Sequence, residues 1–218
     1  MSGDMNTWIA ELFRDPDLVR MGHAQRVDDL NLGLGWLYYG LARTMRPAVV
    51  VVIGSYRGFV PMMLGKALAD NGEGGQVHFI DPSYVDDFWK DPAAVNAHFA
   101  RYGLNNIRHY LMTTQQFVES AAYHELAAPG IVFVDGYHTE EQVRFDYEAF
   151  RDRLTADGVT LFHDTRYVKP SRMYGPDRIY TRTVKYFIDK LRQDPALQVL
   201  DLPLGDGLAL VRRAEASA

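Results

Sequence analysis

The chain has 218 residues, enough for one substantial core and short for two. Hydrophobic residues make up 47% and charged residues 23%, an ordinary globular balance, and a formal net charge of −5 argues against a surface built for nucleic acid. With no cysteine, a disulfide framework and a thiolate metal site are excluded; no basic-then-apolar leader and no bilayer-length apolar run are visible, so a cytoplasmic location is expected.

Residues 1–46 read as a helical, aromatic cap that contains Trp8, Phe13, Trp36, Tyr38 and Tyr39. Asp15-Pro16 marks a helix start, a capping side chain followed by proline at the first helical position. From residue 47 the pattern becomes α/β. Strands are expected at 48–53, 76–80, 107–111, 130–134 and 159–163, with helices at 59–70, 91–102, 114–123 and 139–154. The first strand, Val49 to Ile53, stops at Gly54-Ser55-Tyr56-Arg57-Gly58, where two glycines allow close backbone approach just before a helix N-terminus. Asp91-Pro92 starts the second helix and Gly103 ends it. Thr139-Glu140-Glu141-Gln142 reads as a capping box, followed by an apolar stripe of Val143, Tyr147, Phe150 and Leu154. Residues 197–203 and 207–213 form a hairpin pattern around Gly205-Asp206-Gly207. These elements predict one domain, 1–218. It is a doubly wound, mostly parallel seven-stranded sheet with right-handed crossovers, ending in an antiparallel hairpin.

Such a sheet binds ligands at the carboxyl ends of its strands. Counted from Gly54, the dinucleotide fingerprint would need glycine at Tyr56 and Phe59, and it fails. The phosphate-loop pattern fails as well. What remains is Gly54-x-x-x-Gly58 followed by Asp81 at the end of the second strand. An acceptor-only, two-pronged carboxylate suits both hydroxyls of a ribose. A ribosyl ligand without pyrophosphate fits, and S-adenosylmethionine (SAM) is the common one.

At these residues the chain resembles the class I SAM-dependent methyltransferases, and within them the bacterial small-molecule O-methyltransferase-like group. The matching stretches are Val52-Ile53-Gly54-Ser55-Tyr56-Arg57-Gly58, Asp81, Asp135-Gly136-Tyr137-His138-Thr139, Asp146, Leu154 to Gly158, and Phe162-His163-Asp164. The resemblance spans roughly 48–165 and implies a Rossmann-like methyltransferase fold. It also implies methyl transfer from SAM to a small-molecule acceptor, expected at a hydroxyl. Gly54, Ser55, Tyr56, Gly58, Asp81, Thr114 and Asp135 are the expected cofactor contacts. The chain departs from the family at Val52, where an acid usually helps to hold the cofactor ammonium, and at Thr113-Thr114, where many relatives carry an acid and a serine.

His138, His163 and Asp164 are the candidate catalytic residues, and three readings of their neighbourhood stay open. A histidine could remove the acceptor's proton, since its pKa lies near neutrality. Asp135, His163 and Asp164 could hold a divalent metal, although His163 replaces a carboxylate and a hard ion prefers oxygen; no metal is expected. Asp135 could instead orient the cofactor while His138 caps the following helix. Two other functions stand beside methyl transfer: a non-catalytic SAM-binding protein, which Val52 keeps open, and a nicotinamide-dependent oxidoreductase, against which the glycine count speaks. The segment 165–178 is long for a connection and is expected to be a mobile loop. Its basic residues Arg166, Lys169 and Arg172 suggest an anionic acceptor, with Tyr167 lining the apolar part. A homodimer is one possible assembly, the oligomeric state not being readable from the sequence; no nucleic acid or membrane partner is expected.

Overall fold

The computed structural model describes residues 4–19 and 22–214. Among these residues seven strands form one sheet in the order β3-β2-β1-β4-β5-β9-β8. They are β1 (Val49–Ile53), β2 (Gln76–Ile80), β3 (Ile107–Tyr110), β4 (Ile131–Val134), β5 (Val159–His163), β8 (Leu197–Leu202) and β9 (Leu208–Arg213). The first five run parallel, and β9 inserts antiparallel between β5 and β8. Every residue of β1, β4 and β5 is buried, as expected of central strands covered on both faces.

Alternation along β1 divides the core in two. Val50 and Val52 point into a cluster with α2 (Gly35–Met45), α3 (Phe59–Asn71) and α4 (Pro92–Arg101). Val49, Val51 and Ile53 point into a second cluster with α7 (Glu140–Phe150) and α8 (Val184–Leu191). The N-terminal helix α1 (Met5–Leu12) joins the first cluster through Ile9 and Leu12. After β3 the chain crosses to the other side of β1, so the strand order reverses between β1 and β4. A crevice opens there at the carboxyl ends of the strands.

Several expectations are corrected. The helix expected at 114–123 is two short ones, α5 (Thr114–Val118) and α6 (Ala121–His124), because Ser120 breaks the first and caps the second by accepting from the Tyr123 amide. The helix expected to reach 154 ends at Phe150. Its capping box is half formed: Thr139 accepts from the Gln142 amide, but the Gln142 side chain turns to Asp146 at 2.8 Å. Thr139, not His138, therefore caps α7. The reciprocal box occurs instead at Thr113 and Gln116, in front of α5. The segment 165–178 is not a plain loop. It enters a small antiparallel flap in which β6 (Lys169–Ser171) pairs with β7 (Tyr180–Arg182).

Candidate active site

The turn after β1 is fixed by the chain itself. Gly54 has φ +72°, and a Cβ there would lie 2.5 Å from the Asp135 carbonyl oxygen. The glycine is demanded by the close approach of the β4 end to the β1 end. Gly58 has φ +86°, and a Cβ there would meet the rings of Phe99 and Trp89 at 3.0 and 3.1 Å. Trp89 also donates from its indole nitrogen to the Tyr56 carbonyl at 3.1 Å. Arg57 pairs with Asp86 at 2.6 Å and stacks on Tyr56 and Phe88. So the loop is rigid from behind, and its open side faces the crevice.

That crevice is a cavity of about 520 Å³. Of the expected cofactor contacts, Gly54, Ser55, Tyr56, Asp81, Thr114 and Asp135 line it; Gly58 does not, since it faces the aromatic layer behind the loop. Asp81 accepts from the Ser55 amide at 3.3 Å and the Ser83 amide at 2.7 Å. Burial nevertheless dominates and pushes its carboxyl up to about 6. Val52 is fully buried in the core on the α3 side and does not line the cavity.

At the ends of β4 and β5 two carboxylates and two imidazoles converge. Asp135 Oδ1 accepts from His138 Nε2 at 3.0 Å and from His163 Nδ1 at 3.1 Å. His138 Nε2 also stands 3.0 Å from Asp164 Oδ2, which Arg182 of the flap engages from its other side. Asp164 takes the left-handed conformation at φ +59°, tolerable for a short polar side chain, as the chain leaves β5. Burial alone would neutralise these groups, but mutual attraction outweighs it. The two carboxylates push the His138 ring up to about 10, which makes it a fixed cation near neutral pH. The His138 hydrogen bond and charge, with His163, hold Asp164 at about 2, and His163 and His138 hold Asp135 well below the usual carboxylate range. His163 is raised, chiefly by Asp135 acting against burial.

The two histidines differ in access. His163 lines the cavity, and its Nε2 has no hydrogen-bond partner. His138 is not part of the cavity wall; its Nδ1 meets the Tyr180 hydroxyl at 3.4 Å, and its carbonyl accepts from the Thr183 amide. Asp135, His138, His163 and Asp164 each offer an atom within 4.8 Å of the others, a mixed nitrogen–oxygen set suited to Mn²⁺, Fe²⁺ or Zn²⁺ more than Mg²⁺.

The flap carries tyrosines to the cavity mouth. Tyr137 stacks on Tyr180 at 4.4 Å between ring centres and on Tyr174 at 5.5 Å. Tyr84, Tyr137 and Tyr174 extend the wall into a smaller recess that also holds Arg178 and Ile179. Arg166, Lys169 and Arg172 do not line the cavity. Arg166 donates to the Pro203 carbonyl and lies over Tyr167, and Lys169 pairs with Asp206 at 2.7 Å.

Three residues that line the cavity escaped the sequence reading. His23 comes from the segment before α2, lines the cavity, and lies 4.6 Å from His163 between ring centres. Burial and the His163 charge lower it to about 3, so it is neutral; its Nδ1 meets the Tyr38 hydroxyl at 3.1 Å. Only the Gly22-His23 pair marked it in the sequence, and that pattern is too common to find it. Arg182 lies beyond the segment 165–178, and Asp146 stood in a motif without a role.

The comparisons with known proteins agree in kind. A family model described as a methyltransferase domain matches residues 51–165. Among curated proteins none matches the sequence. Among solved structures the chain is similar to an SAH-bound methyltransferase from Podospora anserina, at 18% identity and TM-score 0.62, over 98% of this chain and 89% of that one. It is similar to an O-methyltransferase from Bacillus cereus in complex with SAH, at 13% identity and TM-score 0.65, over 98% and 93%. It is also similar to the O-methyltransferase TomG of Streptomyces achromogenes, involved in tomaymycin synthesis and in complex with SAM, at 14% identity and TM-score 0.62, over 99% and 92%.

Proposed function

The chain belongs to the methyltransferase domain family, and from that premise we propose that it transfers a methyl group from SAM to a hydroxyl of a planar small molecule. The cavity volume falls in the range of small-molecule sites, and unpartnered polar atoms of His163 and Asp146 fit a polar ligand within it. Similar structures that carry SAM or SAH support the cofactor. When bound, SAM supplies an electrophilic methyl on a sulfonium. Asp81 is assigned the ribose, and the rigid turn at Gly54, Ser55 and Tyr56 the backbone contacts.

The observation that carries the reading is the unpartnered Nε2 of His163 in a cavity-lining ring whose other nitrogen is held by Asp135. That bond keeps the Nδ1 proton and fixes the ring's orientation, so in the neutral form of the ring Nε2 is the atom left to take the acceptor's proton, and the pull of Asp135 makes the ring a stronger base. His138, already bonded to both carboxylates, acts as a fixed cation that keeps Asp135 and Asp164 ionised. Tyr84, Tyr137 and Tyr174 form the apolar wall for the acceptor, and Arg178 in the outer recess favours one with an anionic substituent.

The test is methyl transfer from labelled SAM to a panel of hydroxylated aromatic acids. His163→Ala is expected to lower kcat by roughly a hundredfold or more and to leave SAH affinity within severalfold. Unchanged turnover would remove His163 from proton transfer, and SAH affinity too weak to measure in wild type would remove the cofactor assignment. The four-atom donor set favours a second reading, a bound Mn²⁺, Fe²⁺ or Zn²⁺. Activity abolished by a chelator and restored by one of these ions would select it.

A further inference from the structure

The segment before α2 brings a further imidazole to the ends of β4 and β5, and the charge cluster does not use it. His23 lines the cavity, its ring centre 4.6 Å from that of His163. Three contacts hold it. Its carbonyl accepts from the Leu34 amide at 2.8 Å, its ring stacks on Phe59 at 5.0 Å between centres, and its Nδ1 meets the Tyr38 hydroxyl at 3.1 Å. Gly33 lets the backbone close behind it, since a Cβ there would lie 2.2 Å from the His23 carbonyl oxygen. The bond to Tyr38 sets the tautomer. Tyr38 is fully buried, and among the described residues its hydroxyl has no acceptor other than His23 Nδ1, so the phenol donates there. A ring kept neutral by burial carries one N–H, and with Nδ1 accepting, that proton sits on Nε2. Nε2 has no hydrogen-bond partner among the described residues and is not enclosed by protein, so its N–H opens on the cavity that the ring lines.

We infer that His23 selects oxygen over nitrogen as the methyl acceptor, by donating a hydrogen bond from Nε2–H to the atom that is methylated. This rests on the reading that the cavity transfers a methyl group from SAM and that His163 takes the acceptor's proton. A hydroxyl oxygen has two lone pairs. One accepts from His23; the other forms the bond to the methyl carbon as the carbon–sulfur bond breaks, the sulfur keeping that pair and His163 the proton. An amine has one lone pair, and spending it on the methyl carbon leaves the buried N–H of His23 unpaired.

The test uses the whole protein, labelled SAM and matched pairs of hydroxy- and amino-substituted aromatic acids. Wild type is expected to favour the hydroxyl member in kcat/KM by at least about tenfold. His23→Phe keeps an aromatic ring beside Phe59 but has no donor. It is expected to lower kcat/KM for the hydroxyl member about tenfold, with the amine member and SAH affinity within about threefold of wild type. His23→Gln, whose amide can donate, is expected to recover part of that loss, and thermal unfolding confirms that both variants are folded. Independently of turnover, proton–nitrogen NMR of histidine-labelled protein is expected to show His23 as the Nε2–H tautomer, a preference lost in Tyr38→Phe. An Nδ1–H tautomer in wild type, or an unchanged hydroxyl-to-amine ratio in His23→Phe, would overturn the role of His23 while leaving the methyl-transfer reading intact. Failure of wild type to bind SAH would overturn both.

Discussion

Two regions of one cavity treat their carboxylates in opposite ways. Asp81 and Asp146, beside the turn after β1 and on α7, are pushed up to about 6. At the ends of β4 and β5, Asp164 is held at about 2 and Asp135 lower still. Burial raises all four, so it cannot be the discriminating cause. Partners are. Asp81 and Asp146 meet backbone amides, a hydroxyl and an amide side chain; Asp135 and Asp164 meet imidazoles and, for Asp164, a guanidinium. The first pair has bonding capacity left for a ligand, and the second is neutralised by the protein itself.

The largest expected effect comes from breaking the second region. Asp164→Ala leaves His138 and Arg182 buried beside a single carboxylate, and the unfolding free energy is expected to fall by ~3 kcal/mol or more in urea titration. A loss below about 1 kcal/mol would show that the cluster does not stabilise the fold.

A middle effect separates the regions by pH. Asp81 binds its proton more tightly folded, at about 6, than unfolded, near 3.8. Its contribution is therefore complete below the unfolded value and lost as pH rises through about 6. Relative to wild type, Asp81→Asn should gain ~2 kcal/mol between about pH 4 and 7, a figure discounted for partial solvent contact. Its SAH affinity should fall more than about tenfold. Asp164, lowered, has the opposite sign: its contribution is present above 3.8 and lost as pH falls towards about 2. A stability difference between Asp81→Asn and wild type that stays flat with pH would mean that Asp81 is not raised.

The smallest effect concerns the flap. Arg182→Gln removes a guanidinium from Asp164 but leaves His138 in place, so ~1 kcal/mol of stability is expected to go. The KM for the acceptor should rise severalfold with SAH affinity unchanged; a parallel loss of SAH affinity would move Arg182 to the cofactor side.

The sheet was legible because its strands are runs of buried β-branched residues closed by turn residues. Val49 to Ile53, then Gly54, has no plausible helical reading. The helix after β3 was misread because Glu119-Ser120 interrupts a continuous apolar pattern, and a serine's side-chain bond to the Tyr123 amide decides there what periodicity cannot. The flap was missed because Lys169-Pro170-Ser171 and Tyr180-Thr181-Arg182 are three residues each, too short for alternation, and one contains proline. Asp81, Asp135, His163 and Asp164 were legible as candidates because they end strands, and all four line the cavity. His23 was not, since it approaches from the N-terminal segment, and only tertiary packing joins it to β5. The expected basic contacts failed for a related reason: charge composition locates a segment, but Lys169 spends its charge on Asp206.

Strand β9 has a consequence for biosynthesis. It lies between β5 and β8, with Leu208 paired to His163 and Ala209 to Phe162, yet it is the last of the seven strands in chain order. While the chain is being made, β1 to β5 can assemble, but β5 keeps an open, apolar edge until residues 208–213 clear the ribosome. His163 and Asp164 ride on that edge. The nascent protein thus passes through a stage in which most of the Asp81 side of the cavity is complete and the His163 side is not, with an exposed strand next to it. Ribosome-bound chains stalled shortly before residue 208 are where chaperone capture and misassembly should concentrate.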